Sequence, residues 1–296
     1  MAWVSVSVEV DAANAEALAE ALLAQGALAV DAADADADTS AEVAIFREPG
    51  AAGQDAWPRT RLSALFDPEP APLERVRAAF AAIGVQPPPL SQTMVADADW
   101  VALTQQQFGP IRISERLWIV PSWSQAPDPR ALNLRLDPGL AFGTGGHPTT
   151  AQCLRWLEQH LQPGQHVLDY GCGSGILAIA AKQMGAGQVV AVDIDPVAVE
   201  ACRANAAANA AMIEVVGPDR TPDGPYDIVL ANILANPLRV LAPLLASYVR
   251  GGGALVLAGV LDEQAEELMQ LYRAWCDMRI ASSQEGWACL EGIRRR

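Results

Sequence analysis

The sequence predicts an α/β protein of two domains, a doubly wound parallel sheet preceded by a smaller α+β layer. Three observations predict it. A chain of 296 residues has the length of about two domains, and with 51% hydrophobic residues it can bury real cores. The front alternates apolar and polar residues with a period of two, Val4, Val6, Val8 and Val10 against Ser5, Ser7 and Glu9. From Thr149 onward, short apolar strands alternate with helical patterns, the rhythm of a parallel sheet with crossover helices.

The period-two run reads as a half-buried strand. Ala13, Ala17, Leu18, Ala21 and Leu22 then recur at helical spacing, with Asn14 near the start and Gly26 at the stop. Strands are predicted at Ala27 to Asp31, Glu42 to Arg47 and Arg61 to Phe66, then a helix from Pro72 to Ile83 closed by Gly84, and a strand from Leu90 to Ala96. The order β-α-β-β-β-α-β over residues 1–96 fits a ferredoxin-like layer structure with helices on one face of an antiparallel sheet. The run Asp31, Asp34, Asp36, Asp38 reads as a solvated loop. Residues 97–110 are polar and read as a linker helix ending near Gly109-Pro110, which leaves 111–296 for the second domain.

There, strands are predicted at Leu117 to Val120 and Leu132 to Leu136, before a glycine-rich loop. The alternation that follows is helix Thr150 to Leu161, strand His166 to Tyr170, helix Ile176 to Met184, strand Gln188 to Val192 and helix Val197 to Asn209. It continues with strands Ile213 to Val216 and Tyr226 to Ala231, helix Pro237 to Val249, strand Ala254 to Ala258 and helix Glu263 to Trp275. Trp287 to Ile293 reads as a further antiparallel edge strand.

Composition narrows the function. Lys and Arg number 20 against 35 Asp and Glu, a net charge of −15, which argues against a footprint on nucleic acid, where clustered cations supply most of the affinity. A basic macromolecule is the better partner. Residues 1–96 hold 14 acids and 5 bases, so net −9 lies in the first domain. The amino end has no basic segment followed by an apolar block, and Val240 to Leu261 is interrupted by Arg250 and three glycines. A cytoplasmic protein without membrane spans is expected. The five cysteines form no C-x-x-C pair and the three histidines have no matching ligand set, so no metal is expected.

The chemistry concentrates at strand ends. His166-Val167-Leu168-Asp169-Tyr170 runs into Gly171-Cys172-Gly173-Ser174-Gly175 and then into a helix; glycines there let backbone approach a ligand with no Cβ in the way. Asp193 stands twenty positions past Gly173, at the end of the next strand, where a carboxylate accepts both hydroxyls of an adenosine ribose. Asp195, just before Pro196, is the better helix cap. The G-x-G-x-G spacing led by Asp169 suits an S-adenosylmethionine site better than the G-x-G-x-x-G of a dinucleotide. A third strand, Asp227 to Ala231, ends in Asn232; Asn232 could instead cap the helix near Pro237, although Asn236 is better placed for that.

Leu136-Asp137-Pro138-Gly139-Leu140-Ala141-Phe142-Gly143-Thr144-Gly145-Gly146-His147-Pro148-Thr149-Thr150, followed by the glycine turn and Ala231-Asn232-Ile233-Leu234, resembles the ribosomal protein L11 methyltransferase family. Asp99-Trp100 and the stretch from Arg116 to Trp123 resemble it too. The resemblance implies an amino-terminal domain that recognises the ribosomal protein, a linker helix, and a Rossmann-like class I methyltransferase domain. It implies methyl transfer from S-adenosylmethionine to lysine amines and an α-amine of the ribosomal protein; a basic large-subunit ribosomal protein, free or on the ribosome, is the expected partner, and a monomer is expected. Cofactor contacts are implied at Thr150, Gly171, Gly173, Asp193 and Asn232, with Phe142, His147 and Thr149 in a loop that closes over it. Gly146, where the family often has Thr, and Val101-Ala102-Leu103 in the linker depart from the pattern.

For the acceptor, the Asn232 side-chain oxygen and the Ile233 carbonyl are expected to hold the amine N–H groups and aim its lone pair. Rival readings are a methyltransferase of another protein or nucleobase nitrogen, a nicotinamide-dependent oxidoreductase, and an inactive binding module. Ile233-Leu234-Ala235 after Asn232, where enzymes of planar substrates carry Pro-Pro and an aromatic residue, disfavours the nucleobase.

Overall fold

A computed structural model of the chain describes residues 3–37, 39, 57–67, 71–88, 90–95, 108–137, 145–217, 219–220 and 222–296. They fall into two compact units, one within Met1–Leu103 and the other within Thr104–Arg296. The expected strand Glu42 to Arg47, most of the expected linker helix and Phe142 lie outside the described residues; Phe108 to Pro110 form no helix.

The first unit runs β1 (Trp3–Asp11), α1 (Ala12–Ala24), β2 (Ala29–Asp34), β3 (Arg59–Phe66), α2 (Pro72–Ala82) and β4 (Ser91–Val95). Its sheet has the order β2-β3-β1-β4, antiparallel throughout, the arrangement of a split βαβ pair. The alternation of β1 places Val4, Val6 and Val8 in one core with Leu18, Leu22, Leu62, Phe66, Val76 and Phe80. Asp11 rather than Asn14 caps α1, its carboxylate accepting from Asn14 N at 3.2 Å. The acidic run is only partly loop, since Asp31 and Asp34 belong to β2 and Asp34 is buried, its carboxylate accepting from Asp36 N.

The second unit opens with a small sheet of β5 (Ile111–Arg112), β6 (Leu117–Val120) and β7 (Leu132–Arg135). Then come α3 (Pro148–His160), β8 (Val167–Tyr170), α4 (Ile176–Gln183), β9 (Val189–Val192), α5 (Pro196–Ala208), β10 (Glu214–Val216) and β11 (Tyr226–Asn232). The chain ends with α6 (Ala235–Val240), α7 (Ala242–Tyr248), β12 (Val249–Leu261), α8 (Asp262–Tyr272), β13 (Cys276–Gln284) and β14 (Trp287–Arg294). The seven strands lie in the order β10-β9-β8-β11-β12-β14-β13. From β10 to β12 all pairings are parallel, and β14 runs antiparallel to both neighbours.

The central strands are apolar without alternation because both faces are covered. Val167, Val189, Ala191, Ile228 and Leu230 join the core under α3, α4 and α5. Leu168, Val190, Val192, Val229 and Ala231 join the one under α6, α7 and α8. Two expectations change here. The predicted helix Pro237 to Val249 is two helices that part at Leu241, because Pro243 has no N–H to give the carbonyl four residues back and is tolerated only in a first turn. The predicted edge strand at the carboxyl end is an inner strand, with β13 outside it.

Candidate functional site

The order of the sheet reverses between β8, from which the chain winds to β9 and β10, and β11, from which it winds outward to β12. A crevice opens at the carboxyl ends of the strands at such a point. The residues there are the glycine turn after β8, Asp193 after β9 and Asn232 at the end of β11.

Backbone bonds anchor the start of the turn. Gly171 N and Cys172 N both donate to Val192 O, at 2.8 and 2.9 Å. Gly171, Gly173 and Gly175 have φ of 76°, 52° and 80°, a region open to glycine and costly for other residues. Space is a second constraint: a Cβ on Gly171 would overlap the Ile233 Cγ2 methyl, and one on Gly175 would overlap the Cys202 sulfur on α5.

Asp193 ties this turn to the next. One carboxylate oxygen accepts from Gly173 N at 2.9 Å and the other from Asp195 N at 3.0 Å. Each keeps a second lone pair, and the side chain is half-buried, so the carboxylate is fixed and still able to accept from a ligand diol. Asp195 caps α5, its Oδ1 accepting from Val197 N at 2.9 Å with Pro196 in the first turn.

Beneath the turn, Asp169 is 1% exposed. Its Oδ2 accepts from Ala178 N at 3.1 Å, and its Oδ1 has no partner among the described residues. Burial pushes its pKa up to about 7, against the Ala178 hydrogen bond and with a smaller contribution from the charge of Asp193.

The other wall is the start of α3. Asn232 Nδ2 donates to the buried Thr150 Oγ1 at 3.3 Å, bringing together residues 82 positions apart. Neither Asn232 nor Asn236 caps α6: the helix starts at Ala235 behind Leu234, and Asn236 accepts from Arg239 within it. His147 is the N-cap of α3, its Nδ1 lying 2.8 Å from Thr149 Oγ1 and accepting from Thr149 N at 3.4 Å. Burial lowers the His147 pKa, partly offset by Glu285, which favours the neutral ring that this capping acceptor needs.

Three supporting residues escaped the sequence reading. The Trp287 ring meets His147 edge to face at 4.8 Å between centroids. Gln152, 3% exposed, donates to Trp287 O and accepts from Ser282 Oγ, fastening α3 to the β13–β14 hairpin. Gly259, at φ +80°, packs on the Ile233 backbone. Only Gly259 left a signal, a lone glycine inside an apolar strand, which marks a bulge or a close approach.

A cradle that tolerates no Cβ, a fixed carboxylate for a diol and strand-end amide groups fit the adenosyl and amino-acid parts of S-adenosylmethionine. Among the described residues no group of three or more His, Cys, Asp or Glu is placed to hold a metal ion, and no helix is long and apolar enough to cross a membrane.

Comparison with known proteins agrees with this chemistry. The sequence profile of the family "Ribosomal protein L11 methyltransferase (PrmA)" matches residues 2–295. The ribosomal protein L11 methyltransferase of Thiobacillus denitrificans is 53% identical over 297 residues, covering 100% of both chains. That of Cupriavidus taiwanensis is 52% identical over 296 residues, 99% of this chain and 100% of the relative. A crystal structure of ribosomal protein L11 methylase from Lactobacillus delbrueckii subsp. bulgaricus superimposes with a TM-score of 0.58 at 33% identity, covering 64% of this chain and 100% of that one.

Proposed function

The chain belongs to the ribosomal protein L11 methyltransferase family and depends on S-adenosylmethionine, and from that premise we propose that it methylates lysine amines and an α-amine of ribosomal protein L11 in the cytoplasm, acting as a monomer. The observation that carries the reading is the pairing of Asn232 with Thr150 at the end of β11, beside the turn that Asp193 holds. When bound, S-adenosylmethionine supplies an electrophilic sulfonium methyl.

Every other task falls to this chain's residues. Gly171 and Gly173 offer bare backbone to the cofactor, and Asp193 accepts the ribose hydroxyls. Thr150 takes one Asn232 N–H and so orients the amide, leaving Oδ1 for the incoming amine. That oxygen and the Ile233 carbonyl each accept an amine N–H, which aims the nitrogen lone pair into the crevice, an orientation effect that needs no covalent nucleophile. Only a neutral amine has that lone pair. An α-amine, with a reference pKa of about 7.7, is nearly there at neutral pH, whereas lysine at about 10.4 needs the lowering that desolvation in the crevice provides. The proton leaves to water as the amine enters the crevice.

The net −9 of residues 1–96 suits recognition of a basic ribosomal protein, free or on the large subunit, by that first unit. The test is to incubate the protein with labelled S-adenosylmethionine and unmodified ribosomal proteins and to locate the label by mass spectrometry. Label on L11 lysines and its amino terminus is the expected result; label on RNA, or none on L11, contradicts the reading.

A further inference from the structure

We propose that Gly259 is a positioning residue for the methyl acceptor: from β12 it braces the Ile233 peptide and fixes where the Ile233 carbonyl stands. This rests on the reading of that carbonyl as an amine acceptor given above. Strand β12 pairs with β11 in parallel up to the rung Asn232–Ala258, so Gly259 is the next residue beyond the rung that carries Asn232. Opposite β14, the register of β12 shifts between Leu257 and Val260, which makes Ala258 and Gly259 a bulge. Bulges beside active sites re-aim the residues they touch.

What this bulge touches is backbone. A Cβ on Gly259 would overlap the Ile233 carbonyl oxygen and stand 2.8 Å from its carbonyl carbon and 3.2 Å from its nitrogen. No rotamer change relieves such an overlap; the peptide itself must move. On its other side the Ile233 side chain lies against Gly171, where a Cβ would overlap Cγ2. Ile233 is therefore gripped between two left-handed glycines, Gly171 in the turn just past β8 and Gly259 in β12, the two strands that flank β11. Gly171 belongs to the cofactor turn, whereas Gly259 reaches only the acceptor side, and this separates the two in their effects.

The experiment compares Gly259→Ala with Gly164→Ala. Gly164 has φ of +84°, but a Cβ there meets nothing within 4 Å, so this control carries the backbone strain without the collision. We expect Gly259→Ala to bind S-adenosylmethionine with unchanged Kd and to lose about a hundredfold in kcat on the ribosomal protein, the loss that a misplacement near 1 Å causes. Gly164→Ala should keep its kcat, and crystal structures should show the Ile233 carbonyl displaced in Gly259→Ala alone. A Gly259→Ala kcat equal to that of Gly164→Ala, or a cofactor Kd that worsens in step with kcat, overturns the proposal. If wild-type protein fails to label the ribosomal protein, the functional reading falls, and the carbonyl position in Gly259→Ala still decides the bracing: shifted supports it, unshifted overturns it. Should Gly259→Ala not fold, a wild-type crystal structure decides instead. Gly259 packed on the Ile233 peptide supports the brace, and a gap with room for a methyl group overturns it.

Discussion

In the four-stranded sheet only alternate residues of β1 and β3 enter the core, whereas the central strands of the seven-stranded sheet are buried on both faces. The difference explains where chemistry can sit. A sheet with one committed face leaves Ser5, Ser7 and Glu9 outside its core, side chains suited to meeting a partner over an area. Central strands with both faces covered and a neighbour on each side expose backbone only at their ends, which is where a small ligand can reach it. Glu9, Glu16, Glu20 and Asp31 of the first unit are exposed, whereas Asp169 of the second is enclosed and lacks a partner on one oxygen among the described residues.

That buried carboxyl gives the largest expected effect. With its pKa pushed up to about 7 from 3.8, folded Asp169 keeps its proton where the unfolded chain has lost it. Its contribution to stability is therefore full below about pH 4, falls as the pH rises to about 7 and is then level, a change of about 4 kcal/mol at 1.36 kcal/mol per unit. Denaturant unfolding from pH 4 to 8 should show this slope in wild type and its loss in Asp169→Asn; equal slopes would place the carboxyl in a wetter site. Next, Asn232→Ala should lower kcat by about 10²–10³-fold, the usual effect of removing one preorganised hydrogen-bonding group, with little change in acceptor-free cofactor binding. Asp193→Ala should do the reverse, weakening S-adenosylmethionine binding by about 10–100-fold through lost charge-assisted bonds while kcat at saturation changes less. A calorimetric Kd equal to that of wild type would remove the ribose role. The smallest effect belongs to the first unit. Its acidic field should make kcat/KM fall about a few-fold as salt is raised, and Glu16→Gln with Glu20→Gln should flatten that dependence.

Legibility in the sequence follows the same division. The glycine turn is readable because its signal is local: three glycines between a strand and a helix, and an acid one strand later. Asn232 was readable as a polar stop to an apolar strand. Its partner Thr150 was expected at the cofactor, but their mutual hydrogen bond joins segments 82 residues apart and is made by the fold. Strand β13 escaped because its alternation, Cys276, Met278 and Ile280 against Asp277 and Arg279, is short and gives way to the polar Ser282–Gln284, with most of the strand exposed at the sheet edge. Trp287 read as a strand residue and nothing more, since its contact with His147 exists only once the β13–β14 hairpin docks on α3. The split of α6 from α7 was written in Pro243, which the apolar periodicity around it masked.

The central claim is that the cofactor is held at the strand ends of the second unit by backbone and one carboxylate. Hydrogen–deuterium exchange with and without S-adenosylmethionine tests it most directly. The account predicts slowed amide exchange at Gly171 to Gly175, Asp193 to Asp195 and Asn232 to Ile233, and unchanged exchange in β1 to β4. Protection in the first unit, or binding that leaves the glycine turn unprotected, would contradict it.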